Sequence, residues 1–348
     1  MATVLRKRAG ARVAPTIKDV AARAAVSTAT VSHVVNATGR TGAKTREKVL
    51  RAIEDLGFRP NGNAASLRSR RSRLVGLVLP SITNAFFAQM ASEFERLAIS
   101  EGYDLVIVTH GEDPMRERER IEALLSRQLE GLIVYPASDE GIGSELDRRI
   151  LPATVLMDRG LTLPDFDTVG LANESAGYRA ACALTDLGHR SIAVLLPDLQ
   201  LVPSCDRAHG VERALAEAGQ PGTCRILLGG HTIEGGRSAL EQELRREDRV
   251  TAVIAATNVA TLGAIKAIQG LQLVMPRDIS LIGFDDFDWM TALRPYVTAV
   301  AQPTEQLAEH AWKLLITRIT AGRKAGIRHV TLEGELRLRE STGRVAAD

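Results

Sequence analysis

The stretch that decides the first part of the fold is TIKDVAARAAVSTATVSHVVN, residues 16–36. Its first apolar residues recur at helical spacing and are Ile17, Val20, Ala21 and Ala24. Thr16 caps this helix together with Asp19, and Ser27 offers the cap of a second helix over Thr28–Val35. Two short helices joined by a turn of about four residues predict a helix-turn-helix motif, whose second helix fits the major groove of DNA.

A third helix is predicted to begin near Lys44 and to end at Gly57, which completes a small three-helix bundle. The residues of the second helix that remain outside once its valines are buried are Thr28, Ala29, Thr30, Ser32 and His33. We expect them to face the groove, because short hydroxyl groups and an imidazole hydrogen-bond base edges or phosphates. The exposed cations expected to serve phosphates are Lys44, Arg46 and Arg51.

Charge is distributed unevenly along the 348 residues. Residues 1–73 hold 16 Lys and Arg against 4 Asp and Glu, a net charge of +12, whereas residues 74–348 hold 28 against 38, a net charge of −10. A basic head on an acidic body is typical of a nucleic-acid reader joined to another domain. A small helical bundle that binds protein is the alternative, and it leaves the +12 charge unexplained.

From residue 74 onward, apolar runs alternate with helix-length stretches. The runs expected to be buried strands are 74–80, 103–109, 131–136, 154–158, 191–196, 251–257 and 279–284, and the stretches expected to be helices are 85–100, 116–128, 174–187, 207–218 and 258–269. This pattern predicts parallel sheets covered on both faces. Because about 270 residues exceed one typical domain, we expect two α/β lobes with a ligand cleft between them, beyond the carboxyl ends of the strands.

The expected organisation is therefore an all-α helix-turn-helix head followed by a two-lobed α/β core. The expected segments are a basic tail over 1–15, the head over 16–60, a hinge over 61–73 and the core over 74–348. In the core, the first lobe is expected over 74 to about 169 and about 302–333, and the second over about 170–301 with the C-terminal strand.

Several protein classes are disfavoured by the sequence. A composition of 45% hydrophobic and 25% charged residues argues against a disordered chain. The three cysteines are widely spaced, which argues against a disulfide framework or a zinc site. The basic start lacks the apolar region of a secretory signal, which argues against a periplasmic sugar-binding protein and indicates a cytoplasmic one. No GxxxxGK[ST], HExxH or GxSxG motif is present, so we expect no enzyme, catalytic residue, cofactor or metal. The acidic run FDDFD at 284–288 is read as a hydroxyl-binding carboxylate with solvated neighbours, with a metal site as the alternative.

The sequence resembles the LacI/GalR (lactose/galactose repressor) family of bacterial transcription factors over about nine tenths of its length. The motifs that carry the resemblance are the stretch at 16–36, KTREKV (44–49), LGFRPN (56–61), LGHRSIAV (187–194), RAHG (207–210), LIGFDD (281–286) and VTAVAQP (297–303). The resemblance implies a periplasmic-binding-protein-like core and a homodimer on a palindromic operator. It also implies repression that a small molecule relieves or imposes. A nucleoid-type DNA binder, the remaining alternative, has no use for a ligand cleft.

The resemblance also gives the segment 61–73 a role. In the family, an AxxL-type segment folds into a hinge helix on DNA, and AASL at 64–67 matches it, so that Leu67 inserts into the minor groove. The alternative is a solvated linker with an incidental leucine. The complete set of expected DNA-contacting residues is Thr16, Ser27, Thr28, Ala29, Thr30, Ser32, His33, Asn36, Asn61, Ala64, Leu67 and Arg68.

The effector pocket is also implied by the resemblance. The matching residues are Phe86, Phe87, Asp158, Arg207, His231, Asn258, Asp285, Trp289 and Gln302. An arginine fork, carboxylates and aromatic walls suit a sugar or sugar phosphate, with a purine or nucleoside as the alternative. Trp289 is expected either to stack on a sugar face or to be a packed aromatic residue.

Four departures from the family pattern leave the effector open. Ala25 stands where Gly or Asn is usual, which predicts a strained turn between the first two helices. Thr257-Asn258 replaces Asn-Asp, and Ala172-Asn173 replaces Asp-Asn. His231 stands where an aromatic side chain commonly covers the pocket.

After Glu340 there is no leucine heptad, so we expect a dimer without a tetramer-forming coiled coil.

Overall fold

A computed structural model describes residues 15–35, 38–39, 41–58, 72–140, 142, 149–161, 163–219, 222–322 and 326–345. The chain divides into two compact units, Met1–Ser72 and Arg73–Asp348. Five of the expected DNA-contacting positions lie outside the described residues: Asn36, Asn61, Ala64, Leu67 and Arg68.

The head consists of three helices, α1 (Ile17–Ala24), α2 (Thr28–Val35) and α3 (Ala43–Leu56). Both predicted caps are confirmed. The Asp19 carboxylate accepts hydrogen bonds from the Thr16 amide and hydroxyl at 2.7 Å, and the Ser27 hydroxyl accepts from the Thr30 amide at 3.1 Å. The buried apolar side chains of the bundle are Val20, Ala21, Ala24, Val31, Val34, Val49 and Ala52.

The prediction that Ser32 faces outward is wrong, because this residue is only 6% exposed. The second helix packs against both α1 and α3. Two neighbours bury a wider arc of a short helix than its valines alone define, and Ser32 falls within that arc. The exposed face of α2 is therefore narrower than expected and consists of Thr28, Ala29 and His33.

The core contains two six-stranded sheets. The first consists of β1 (Leu74–Leu79), β2 (Asp104–Thr109), β3 (Gly131–Val134), β4 (Ala153–Met157), β5 (Asp167–Leu171) and β11 (His329–Leu332). The second consists of β6 (Ser191–Leu196), β7 (Thr223–Leu228), β8 (Ala252–Ala255), β9 (Ser280–Phe284), β10 (Thr298–Ala301) and β12 (Glu335–Arg337). The strand orders are β11-β5-β4-β3-β1-β2 and β12-β10-β9-β8-β6-β7.

Parallel pairing dominates both sheets, and among the described strands only β12 is antiparallel to its neighbour, β10. The predicted two-lobed α/β core with parallel sheets is thus confirmed. The chain passes between the sheets after β5, after β10 and after β11. Each sheet is therefore assembled from separate segments of the sequence.

Helices cover both faces of each sheet, as continuous apolar strands require. The first sheet is flanked by α4 (Ala85–Ser100), α5 (Pro114–Leu125) and α10 (Thr304–Ala321). The second is flanked by α6 (Asn173–Asp186), α7 (Val202–Glu217), α8 (Ile233–Leu244) and α9 (Asn258–Gly270). Met90 of α4 and Trp312 of α10 pack on one face of the first sheet, and Ile121 of α5 packs on the other.

Two glycines bring α6 and α7 into direct backbone contact. A Cβ atom on Gly177 would lie 2.1 Å from the Arg207 carbonyl oxygen, and one on Gly210 would lie 2.1 Å from the Glu174 carbonyl oxygen. Only glycine fits at such distances. The contact fixes the backbone of Arg207 against α6, close to the residues that begin that helix.

His189 joins four parts of the second lobe. Its side chain is buried, Nδ1 lies 2.8 Å from the Thr251 hydroxyl, and Nε2 lies 3.0 Å from both the Ser280 hydroxyl and the Gly343 carbonyl oxygen. Burial lowers the pKa of His189 below its ordinary value of 6.5, although its bond to Gly343 acts in the opposite direction. The folded protein therefore favours the neutral imidazole.

We predict that His189 makes stability fall as pH drops below about 6.5, because the unfolded chain then binds a proton that the folded site resists. His189→Asn, which cannot charge, should show a smaller fall in melting temperature between pH 8 and pH 5.5. His310→Asn, which changes an exposed histidine, is the matched control and should keep the wild-type fall in melting temperature. Equal pH dependence in all three proteins would contradict the prediction.

Ala25 has φ 53° and ψ 49°, the left-handed conformation from which the strain at this turn is expected. We predict that Ala25→Gly stabilises the head by about 0.5 kcal/mol, because relief of the left-handed strain exceeds the entropy that a new glycine loses. Hydrogen exchange of the head amides in the full-length protein measures this difference.

Ala22→Gly is the matched control for this change. Ala22 is exposed inside α1, where glycine should destabilise the head by about 0.5–1 kcal/mol. Equal destabilisation by the two substitutions would show that Ala25 stores no strain.

Candidate functional site

The exposed face of α2 forms the first candidate site. Thr28, Ala29 and His33 are exposed, whereas the Thr30 hydroxyl lies 2.9 Å from that of Ser27 and completes the cap of the helix. Arg46 is exposed at the start of α3, and Arg51 is exposed but forms an ion pair with Glu47 at 2.6 Å. A short helix with small polar residues outward, beside exposed cations, has the size and charge to enter a DNA groove.

The second candidate site lies where the strands of both sheets end. Asp158 follows β4 of the first sheet, and Asp285 follows β9 of the second. Both have left-handed backbones, with φ of 64° and 61°. Their amides still bond the neighbouring strand, Asp158 to the Val169 carbonyl at 2.9 Å and Asp285 to the Val300 carbonyl at 3.0 Å. Each lobe thus presents one aspartate at the carboxyl edge of its sheet, where ligands of parallel α/β folds bind.

Three donors hold the Asp285 carboxylate. Oδ2 accepts from the Asn258 amide group at 2.9 Å and from the Asn258 backbone at 3.2 Å, and Oδ1 accepts from the Gln302 side chain at 2.6 Å. The Asn258 side chain also donates to Asn84 Oδ1 at 2.9 Å. Asn84 caps α4 in the first lobe, so Asn258 connects the carboxylate of one lobe to a helix of the other.

Arg207 is buried at the same edge. Its Nε donates to Asn173 Oδ1 at 2.8 Å, Nη1 donates to the Ala256 carbonyl, and the guanidinium carbon lies 4.4 Å from the centre of the Phe284 ring. Burial lowers the pKa of Arg207, while the charges of Asp158 and Asp285 raise it. The two hydrogen bonds and the ring contact hold the guanidinium group of Arg207 in one orientation before any ligand binds.

Asp158 lies in the same low-dielectric region. Burial raises the pKa of its carboxyl group, and the cations Arg207 and Arg159 oppose this effect. Tyr135 is buried, and burial together with the charge of Asp158 raises the pKa of its hydroxyl well above the ordinary value. Within the described part of the chain, the Tyr135 hydroxyl has no hydrogen-bond partner. Its ring packs edge-on against Phe86 and Phe87, with centroid distances of 6.4 and 5.3 Å.

Several of these residues line a cavity of about 80 Å³ between the lobes. Of the residues expected from the sequence, seven line it: Phe86, Phe87, Asp158, Arg207, His231, Asp285 and Gln302. Asn258 does not line it but bonds Asp285. Trp289 is not brought to this cavity, because its ring packs against the apolar cluster that α8 and α9 form with the second sheet. That position agrees with the packed alternative for Trp289.

Charged side chains pair around this cavity, both within the first lobe and between the lobes. Arg159 is buried and forms a two-bond ion pair with Glu112, at 2.5 and 3.0 Å. His231 of the second lobe has Nδ1 3.6 Å from Glu112 and Nε2 3.0 Å from Asp198. In addition, Asp139 of the first lobe accepts from the Val202 amide, the first residue of α7, at 2.5 Å.

Sequence reasoning missed Asn84, Glu112 and Arg159, all of which line the cavity. Glu112 and Arg159 follow β2 and β4, so the rule that sites lie beyond the carboxyl ends of parallel strands already contained the signal for both. Asn84 precedes α4, and its role depends on Asn258, which is 174 residues away in the sequence.

The acidic run at 284–288 does not form a shared metal site. Asp286 accepts from Arg337 at 2.7 Å and from Arg339 at 2.6 Å, whereas Asp285 faces the donors described above. Among the described residues, no group of three His, Cys, Asp or Glu side chains is arranged to hold a metal ion.

In that same part of the chain, no helix is long and apolar enough to cross a membrane.

Comparison with known proteins gives two family matches. The model described as bacterial regulatory proteins, lacI family, matches residues 16–61, and the model described as periplasmic binding protein-like domain matches residues 181–342. The ribose operon repressor of Haemophilus influenzae is 32% identical over 333 residues, which cover 94% of this chain and 98% of that protein. The HTH-type transcriptional repressor PurR of Erwinia tasmaniensis is 35% identical over 315 residues, 89% of this chain and 92% of that protein.

Solved structures agree with these matches. The lac repressor dimer bound to operator and the anti-inducer ONPF has a TM-score of 0.81 at 27% identity, covering 94% of this chain and 99% of that one. The complex of the transcriptional regulator CelR with cellobiose has a TM-score of 0.70 at 28% identity, with the same coverage.

Proposed function

Because the chain belongs to the lacI family of bacterial regulatory proteins, we propose that it represses transcription as a homodimer on a palindromic operator in the cytoplasm. We further propose that a neutral sugar bound between its lobes controls its affinity for the operator. The observation that carries the proposal is the cavity at the carboxyl edges of both sheets. It brings together Asp158, Asp285 and Arg207 beside two phenylalanine rings.

The chemistry of the cavity supports a neutral, hydroxyl-rich ligand. Glu112 and Arg159 neutralise each other, which leaves Arg207 facing the carboxylates of Asp158 and Asp285. Two carboxylates accept hydrogen bonds from hydroxyl groups and repel a phosphate, so sugar phosphates are disfavoured. Phe86 and Phe87 provide the apolar surface that the carbon face of a sugar ring contacts. A relative named as a ribose operon repressor agrees with this choice.

A purine is the second candidate, because a relative is named PurR and because a flat ring also packs on Phe86 and Phe87. A thermal-shift screen with D-ribose, D-glucose, D-ribose 5-phosphate and hypoxanthine distinguishes the candidates. A ligand at 100 times its Kd raises the free energy of unfolding by about 2.7 kcal/mol. We expect a shift with a neutral sugar. A shift with hypoxanthine alone would replace the sugar by a purine.

On the DNA side, we propose that Thr28, Ala29 and His33 read base edges and that Arg46 serves a phosphate. Thr16, Ser27 and Thr30 cap the helices that present these residues. Leu67 and Arg68 are proposed to contact the minor groove between the half-sites.

We predict that His33→Ala relaxes base preference at one position in each half-site and costs about 1–3 kcal/mol there, the typical value of one base contact. Selection from random DNA followed by binding titrations measures both effects. Arg46→Ala is the control, since the loss of a phosphate contact should weaken binding to all sequences alike and reduce its salt dependence. Selection of sites without two-fold symmetry would contradict the proposal.

We predict that Asp285→Asn weakens effector binding roughly 10–100-fold, the value of a hydrogen bond to a charged group. Operator affinity without the effector should stay near the wild-type value, because an asparagine at this position keeps an oxygen that accepts from Asn258 and so keeps the connection to the other lobe. Calorimetric titration of the sugar found in the screen, with and without operator DNA, measures both quantities. By linkage, operator DNA should change the effector Kd of the wild type by the same factor as the effector changes operator affinity.

The matched control for Asp285→Asn is Asp288→Asn, three residues further along the chain. Asp288 is exposed and does not line the cavity, so its substitution should leave effector binding unchanged. Wild-type effector affinity in Asp285→Asn would place the effector elsewhere.

A further inference from the structure

A second cavity adjoins the one assigned to the effector. Its volume is about 190 Å³, more than twice that of the first cavity at about 80 Å³. Phe86, Asp285 and Gln302 line both cavities, so these three side chains stand between them. The other walls of the second cavity are Gln89, Asp286, Ala301, Thr304 and Arg337.

Apart from Asp285, the charged side chains that line the second cavity are paired in a network of ions. Asp286 accepts from Arg337 at 2.7 Å and from Arg339 at 2.6 and 2.7 Å, and Arg337 also bonds Glu335 at 2.9 Å. In this network two carboxylates balance two cations, and Asp285 adds a further negative charge to the cavity wall. An added phosphate would therefore be repelled by Asp285 and would have to compete with the ion pairs. Besides Asp285 and Gln302, the polar groups outside this network are the amide of Gln89 and the hydroxyl of Thr304, both of which match neutral hydroxyl groups.

Of the three dividing side chains, Gln302 is the one whose removal disturbs the site least. Phe86 is packed against Phe87 and Tyr135. Asp285 keeps two bonds from Asn258 in the absence of Gln302, so its carboxylate remains fixed. Gln302 itself lies between β10 and α10, is only partly buried, and donates to Asp285 at 2.6 Å.

We propose that the second cavity is a subsite for a second sugar ring and that the Gln302 side chain closes it, so that the protein selects single-ring effectors. The inference rests on the proposed function, since it assumes that the first cavity binds a neutral sugar. A shorter side chain at position 302 joins the two cavities, and the effector specificity then extends to disaccharides.

Calorimetric titration of the full-length wild type, Gln302→Ala and Gln302→Leu with D-glucose and with cellobiose tests the proposal. Cellobiose consists of two glucose rings, so the ratio of the two Kd values measures what the second ring contributes to binding. We expect Gln302→Ala to shift this ratio toward cellobiose by at least about tenfold, the lower end of what a changed pocket wall contributes to discrimination. Gln302→Leu removes the bond to Asp285 but retains the bulk of the wall, and should keep the wild-type ratio.

The location of the second ring is tested by Gln302→Ala combined with Gln89→Trp, which fills the second cavity from the exposed side of α4. The double variant should lose the gain for cellobiose. An unchanged ratio in Gln302→Ala, an equal gain in Gln302→Leu, or a gain that persists in the double variant overturns the inference. If D-ribose, D-glucose and cellobiose bind none of these proteins, the proposed function fails and the inference fails with it.

Discussion

The bonds to the Asp285 carboxylate hold the ligand-binding part of the molecule together. They fix the end of β9, the first residue of α9 and the chain crossing after β10, and through Asn258 they reach Asn84 in the opposite lobe. A carboxylate that accepts several charge-assisted hydrogen bonds in a buried site defines the positions of its donors closely. The two lobes are therefore related to each other through a group that also faces the ligand. In the function we propose, the effector bonds Asp285 and thereby acts directly on the relation between the lobes.

The two lobes use the same local device. Asp158 and Asp285 follow buried parallel strands, both have left-handed backbones, and both keep an amide bond to the neighbouring strand. Aspartate tolerates this conformation at a modest cost in free energy, and such strained residues often occur at ligand sites. Both carboxylates lie near enough to Arg207 for their charges to raise its pKa, against the effect of burial. The close glycine contact between α6 and α7 fixes the backbone of Arg207, and Asn173 and the Ala256 carbonyl hold its guanidinium.

Local patterns in the sequence predict most of the fold but not the contacts between distant segments. The strand over 191–196 and the helix over 85–100 have the predicted bounds, because long apolar runs and a clear cap define them. The helix expected from Arg207 begins at Val202, since proline is compatible with a first helical turn and Pro203 lies there. The burial of Ser32 and the pairing of Asn84 with Asn258 depend on which elements become neighbours, and a single sequence does not contain that information. Trp289 illustrates the same limit, because its chemistry suits stacking on a sugar while its position is in a packed cluster.

Because the chain crosses three times between the sheets, it also determines when during synthesis each sheet can be complete. The edge strands β11 and β12 lie at His329–Leu332 and Glu335–Arg337, so the first sheet lacks a strand until residue 332 has been synthesised and the second until residue 337. The three head helices, in contrast, are local in sequence and end at Leu56. Local contacts form early, and domains generally fold as units in the order of their synthesis. The head is thus available for folding about 280 residues before the last strand of the core has been synthesised. During synthesis the chain therefore passes through a stage in which the basic head can fold while the effector-binding core is incomplete.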